Sequence, residues 1–190
     1  MSTAIRAAVS ADLASAAQLL AAAFDDSDWT RWTIPADGYR ERLEQIQHLY
    51  LTHALEHGVV LVAEQPVRAV AAFVPPNVAS PGEDMRRRLA ELHGPRLTAL
   101  AELALPDPPA GSWTLATVGV APDRQGTGLG TAAITAGLVL LDQRGEPVAL
   151  ETSDDRNVRL YRRLGFATFA TTAIPDGPVV YSMHRPAPAA

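Results

Sequence analysis

The run Gln125-Gly126-Thr127-Gly128-Leu129-Gly130 constrains the fold of this chain more than any other stretch. It follows an apolar segment, 113–120, and opens a long apolar stretch, about 128–144, whose composition suits a helix. A strand passing into a helix through glycines directs successive backbone N–H groups into one small space at the positive helix end, which makes an anion site. Glycine matters because the backbone must turn with dihedrals other residues avoid, and an anion must approach without meeting a Cβ. Two familiar turns of this kind fail. A P-loop needs Gly-Lys-Ser/Thr, and the chain has no lysine, since all 16 basic residues are arginine. A dinucleotide fingerprint needs its third glycine at 131, where Thr131 stands, and belongs to a first strand–helix unit rather than to one this late in the chain.

The rest of the chain sets this turn in an α/β pattern. Residues 4–9 read as a short strand, and Ser10 as the N-cap of an Ala-rich helix with Leu13, Ala16, Ala17, Leu20 and Phe24 on one face. Asp25-Asp26-Ser27-Asp28 breaks it. A second helix, about 37–57, carries Leu43, Ile46, Leu49 and Tyr50 at helical spacing and stops at Gly58. Val-rich runs at 59–63 and 67–74 predict a hairpin, closed by Pro75-Pro76. Helical periodicity resumes over about 82–105, interrupted at Gly94-Pro95, and 106–109 forms a stiff Pro-rich loop. After the glycine turn come a strand at 148–152, a helix at 156–164, and strands near 166–174 and 179–184. Strands interspersed with helices imply an α/β domain with a mixed sheet. One domain over 1–185 with a frayed tail at 186–190 is the expected organisation.

Composition removes whole reaction classes. Without cysteine there is no disulfide, no thiolate metal site and no cysteine acyl-enzyme. Without lysine there is no Schiff base and no Ser-Lys dyad. A formal charge of -5 gives no global attraction for nucleic acid, and Arg86-Arg87-Arg88 is too short to track a backbone, so no nucleic-acid partner is expected. No apolar run approaches the roughly 18 residues of a membrane helix, and Met1-Ser2-Thr3-Ala4 does not begin a signal peptide; the expectation is a cytoplasmic protein without a membrane partner. His53-Ala54-Leu55-Glu56-His57 has the His-x-x-Glu-His spacing of a metal-binding string. Such strings arise by chance and the histidines also suit the negative end of a helix, so no metal is expected.

Gln125 to Gly130 matches the Gln/Arg-x-x-Gly-x-Gly/Ala signature of the GNAT acetyltransferases at every fixed position, and Thr117-Val118-Gly119-Val120-Ala121-Pro122 resembles that family's preceding strand. Asn157, four residues before Tyr161, and Arg163-Leu164-Gly165-Phe166 resemble its Asn-x-x-x-Tyr and Leu-Gly-Phe elements at the expected distance. Within the family the likeness is greatest to the puromycin N-acetyltransferases and their actinobacterial relatives. It is carried by 115–120, Leu150-Glu151-Thr152-Ser153, Arg156-Asn157, Pro175, Gly177-Pro178 and, more faintly, Ala21-Ala22-Ala23-Phe24. It departs on the acceptor side, where Ser27 aligns with aromatic residues and Tyr181 with a tryptophan.

The resemblance implies the GNAT fold, a mixed, mostly antiparallel central sheet flanked by helices and splayed between the fourth and fifth strands. It also implies direct acetyl transfer from acetyl-CoA to an amine of a small molecule, with puromycin or a related aminoacyl compound as candidate. The alternatives are a protein N-terminal acetyltransferase and a non-catalytic acyl-CoA-binding domain. By the same likeness, backbone groups of Val118 and Val120 would pair with the pantetheine arm, one N–H serving as oxyanion donor. Gln125, Gly126, Thr127, Gly128, Leu129 and Gly130 would hold the pyrophosphate, with Asn157 as a further CoA contact. Tyr161 would be the general acid for the departing thiolate. Glu151, a carboxylate at the end of an apolar strand, can serve as general base or be merely solvated. Asp28, Trp29, Trp32 and Tyr181 are the acceptor-side candidates, against the simpler reading of the acids as a polar loop. A homodimer is the default assembly for a small enzyme.

Overall fold

The Val-rich and alternating segments pair into one seven-stranded sheet of order β1-β2-β3-β4-β5-β7-β6. The strands are β1 (Ile5–Ala7), β2 (Val59–Ala63), β3 (Ala69–Val74), β4 (Trp113–Val120), β5 (Val148–Thr152), β6 (Ala167–Ala173) and β7 (Val179–Arg185). All neighbours are antiparallel except β4 and β5, which run parallel. The structure, a computed structural model, describes residues 4–188, so the expected tail lies partly outside the described residues.

Among the described residues, seven helices flank the sheet: α1 (Leu13–Ala23), α2 (Asp28–Thr33), α3 (Tyr39–His57), α4 (Glu83–His93), α5 (Arg96–Ala101), α6 (Leu129–Asp142) and α7 (Asp155–Arg163). One face carries α1 and α3 on Ala72, Val60, Val62 and Val70. The other carries α6 and α7 on Phe73, Leu115, Val148, Leu150 and Met183. That face permits very close approach, since a Cβ on Gly137 of α6 would meet the Phe73 ring at 2.2 Å. None of the described helices is long and apolar enough to cross a membrane.

Several boundaries differ from the sequence reading. Ser10 caps nothing; a 3-10 turn over Ser10–Asp12 leads into α1, and Asp12 organises it by accepting from the Val9 N–H at 2.9 Å and from both Arg6 Nη atoms at 2.7 and 2.8 Å. Those donors hold the Asp12 carboxyl at about 2. The second long helix begins at Tyr39, not 37, because Gly38 takes a left-handed turn. The 82–105 segment is two helices, α4 and α5. The short helix α2 was not expected, because the acidic run before it reads as a break. It is fixed from outside: Thr30 Oγ1 lies 2.7 Å from the Tyr39 hydroxyl, Tyr39 donates to the Phe24 carbonyl at 3.0 Å, and His93 Nδ1 lies 2.9 Å from the Thr33 carbonyl.

Candidate active site

β4 carries one extra residue. Ala72 faces Thr117 while Phe73 faces Leu115, so Ala116 is a β-bulge, and side-chain alternation changes phase across it. Upstream, Trp113 and Leu115 point to the α6 face; downstream, Val118 and Val120 do, while Thr117 and Gly119 face α3 and α1. Just past its first two residues β4 also loses its neighbour, since the parallel pairing with β5 covers only Trp113↔Val148 and Thr114↔Ala149. Beyond them the strands diverge, as expected for a sheet splayed between its fourth and fifth strands.

The edge exposed by this gap is mostly backbone. The Trp113 N–H donates toward the β5 side, to Pro147 O at 2.8 Å, and the Ala121 N–H donates toward the β3 side, to Arg68 O at 2.9 Å. Strand alternation back from Ala121 turns the N–H groups of Val120 and Val118 into the gap. The loop follows at the far end of β4. Gly126 and Gly128 have φ of +76° and +87°, and nothing lies within 4 Å of where a Cβ would sit on either, so the cradle in front of α6 is open. Gly128 is the residue from which α6 starts. Thr127 Oγ1 donates to Arg124 O at 2.6 Å, and Arg124 bonds Glu64 of the β2–β3 turn at 2.7 Å, which ties the loop to the sheet. Gln125 is exposed and Nε2 reaches only the Val120 carbonyl, at 3.5 Å, while Leu129 is buried and anchors the first turn of α6. An open row of N–H groups at a helix start fits a pyrophosphate, and free N–H groups on a strand edge fit an amide-bearing arm.

Two titratable candidates lie on opposite faces of the sheet. Tyr161, on α7, is buried at the α6–α7 face against Phe166, ring centroids 5.7 Å apart. Burial alone raises its phenol far above the usual range, so it stays protonated and able to donate. Asn157 lies one turn earlier on α7 and is exposed. Asp154 caps this helix by accepting from the Arg156 N–H at 2.7 Å. Glu151 alternates with Leu150 and so points to the α1–α3 face; it is exposed, and desolvation raises its carboxyl above the ordinary value. Its cross-strand partner Ser182 is buried with its hydroxyl unpartnered, and His184 Nε2, two residues along β7 on the same face, is also buried without a partner. Sequence reasoning missed both. The strand period could have placed them beside Glu151 only if the β5–β7 register had been known.

The acceptor-side candidates are less unified. Trp29 and Trp32 lie on α2 with centroids 6.0 Å apart, and Trp32 covers the β6–β7 turn, where a Cβ on Gly177 would meet its ring at 2.9 Å. Asp28 is exposed in the first turn of α2, while Asp25 is engaged by Arg31, whose guanidinium also stacks on Tyr39 at 3.8 Å. Tyr181 pairs with Thr152 on the sheet face opposite Glu151 and packs toward α7, where the neighbouring Asp155 carboxylate raises its phenol.

Comparison with known proteins agrees with this geometry. Residues 24–166 match the model of the Acetyltransferase (GNAT) family. Among solved structures, the chain is similar to the histone acetyltransferase HPA2 and related acetyltransferase of Corynebacterium glutamicum, at 24% identity and a TM-score of 0.82 over 100% of this chain and 99% of that one. It also resembles the ribosomal-protein-S18-alanine N-acetyltransferase of Escherichia coli, at 18% identity and a TM-score of 0.61 over 100% of this chain and 96% of that one. A third is a mosquito arylalkylamine N-acetyltransferase like 5b, at 15% identity and a TM-score of 0.61 over 97% of this chain and 100% of that one. At these identities the likeness is one of fold.

Proposed function

This chain belongs to the acetyltransferase (GNAT) family, and on that premise we propose that it moves an acetyl group from acetyl-CoA directly onto an amine of a small molecule. The candidate acceptor is puromycin or a related aminoacyl compound with a free α-amine beside an aromatic side chain. The observation that supports this reading is the open glycine loop at Gly126 and Gly128, set at the far end of a strand whose pairing with β5 stops after Thr114.

When bound, acetyl-CoA supplies an acyl group activated as a thioester. Gln125 to Gly130 hold its pyrophosphate, Asn157 adds a contact from α7, and Val118 and Val120 align the arm through their N–H groups. One of those N–H groups polarises the thioester carbonyl. The amine nitrogen forms the new C–N bond as the C–S bond breaks. Tyr161 donates to the departing sulfur, and Glu151, directly or through water, accepts the proton the amine gives up. An α-amine with a pKa of about 7.7–8.0 is already partly neutral at pH 7, so the base has little work to do. Asp28, Trp29 and Trp32 form the acceptor wall, with Tyr181 at the α7 rim.

The test incubates pure protein with acetyl-CoA and, separately, puromycin, aromatic amino-acid amides, a polyamine and a peptide with a free N-terminus. Released thiol and acetylated product are followed together by absorbance and mass spectrometry. Turnover favouring the aromatic α-amino compounds is expected. Efficient transfer to the polyamine or the peptide, with no product from puromycin, overturns the acceptor assignment. A rise in Tm with acetyl-CoA but no thiol release with any amine would instead mark a binding domain without catalysis.

A further inference from the structure

The last turns of α3 present a feature the transfer reaction does not use. His53, Glu56 and His57 are spaced i, i+3 and i+4, so all three side chains leave one face of the helix. Their candidate ligand atoms lie within 4.8 Å of one another, with His57 Nε2 3.9 Å from Glu56 Oε2 and the two imidazoles edge to face at a centroid distance of 4.6 Å. We propose that His53, Glu56 and His57 bind a first-row divalent transition metal ion, with Zn²⁺ the best match.

The donor set selects the metal. Two imidazoles and a carboxylate suit zinc and its neighbours, whereas Mg²⁺ and Ca²⁺ prefer all-oxygen sites. Tetrahedral zinc with bonds of about 2.0–2.1 Å needs ligand atoms about 3.3 Å apart. The present spacing closes to that by side-chain rotation, with no movement of the helix. Two features favour a cation here. The triad lies at the helix C-terminus, where the dipole is negative, and it opens on a cleft whose far wall is the first turn of α4, with Glu83 and Asp84. Asp84 is engaged by Arg87 at 2.5 Å, while Glu83 makes no ion pair among the described residues and lines the same cleft, where it adds negative charge. The site lies at the sheet end where β4 begins, since α3 runs straight into β2 and Val59 pairs with Phe73, which pairs with Leu115. The glycine loop is at the other end, so the ion is structural and clamps α3 to α4.

The experiment uses untagged, chelator-treated protein. Zinc chloride titrated in a calorimeter should bind one to one and raise Tm, while Mg²⁺ and Ca²⁺ do neither. Loss of even an orienting partner behind a metal ligand costs about 10–100-fold in affinity, so His53→Gln and His57→Gln should each weaken zinc by at least about tenfold. His48→Gln, on the same helix, should not. On the wild type, zinc should protect His53 and His57, and not His48, from carbethoxylation mapped by mass spectrometry, a readout independent of how the variants fold. Absence of zinc binding overturns the proposal, as does binding that survives both substitutions or leaves His53 and His57 unprotected.

Discussion

Along the gap between β4 and β5, the groups we propose for the cofactor are mostly backbone. They are the N–H groups of Val118 and Val120 and the open turn at Gly126 and Gly128. Those we propose for the acceptor are side chains, Glu151 from β5 and Trp29 and Trp32 from a six-residue helix held by Tyr39 and His93. Backbone geometry is fixed by the sheet and the helix start, so the backbone groups themselves are rigid and little altered by substitution except at glycine. Side chains carried by a short, externally braced element are free to change, so the second set can vary its ligand without disturbing the fold. We propose on this basis that the backbone set serves the cofactor and the side-chain set serves the acceptor.

Four substitutions would break or sharpen that division, and a fifth controls for stability. Tyr161→Phe should have the largest effect, lowering kcat by about 10²–10⁴-fold while acetyl-CoA affinity stays near wild type. An unchanged kcat under conditions where chemistry limits turnover removes Tyr161 from the reaction. Gly128→Val should weaken acetyl-CoA by about 10²-fold. The left-handed φ costs roughly 1–2 kcal/mol for a residue with a Cβ, and the branched side chain fills the open cradle. Normal affinity by calorimetry would move the pyrophosphate site elsewhere. Trp32→Ala should raise KM for the acceptor about tenfold with little change in acetyl-CoA affinity, matching the roughly 0.5–1.5 kcal/mol of an aromatic contact. If acetyl-CoA affinity falls instead, the two sets are not separate.

Glu151→Gln should cost only a few-fold at pH 8, and that loss should shrink in the wild type's acid limb, where the carboxyl is protonated and the two proteins converge. The carboxyl works as a base when ionised; desolvation raises its pKa, so wild-type kcat/KM falls as pH drops through that raised value. Identical pH profiles for the two proteins would leave Glu151 a bystander. Asp12→Asn, remote from both sets, should lower Tm at pH 7 and leave turnover intact. The folded carboxyl sits at about 2, so its contribution is full above the unfolded value of about 3.9 and is lost as pH falls through 2. Thermal melts from pH 7 to pH 2 should converge for wild type and variant.

The same division explains what the sequence disclosed. The glycine turn, the preceding strand and α7 are local: each is specified by neighbouring residues, and the elements form close to where the sequence reading puts them. Helix α2 escaped notice because its six residues have weak propensity, and what holds them, Tyr39 and His93, comes from 9 and 60 residues away. Ser182 and His184 were invisible for a similar reason: their neighbourhood with Glu151 exists only through the β5–β7 register. Tyr181 was grouped with the tryptophans on resemblance, and strand parity turns it to the other face.

The single extra residue at Ala116 has an effect that reaches the length of β4. A strand of constant phase would send Trp113, Leu115, Thr117 and Gly119 to one side, putting a threonine beneath α6 and leaving Val118 and Val120 to collide with α1, where Gly119 already meets Leu20 so closely that a Cβ would lie 2.6 Å from it. The bulge works as a frame shift within one strand, so that the same eight residues are read as two short words, each in register with a different core. Deleting one residue from β4 would therefore do more harm than exchanging one apolar side chain for another, and lineages descended from such a chain should keep its length and the glycine at 119.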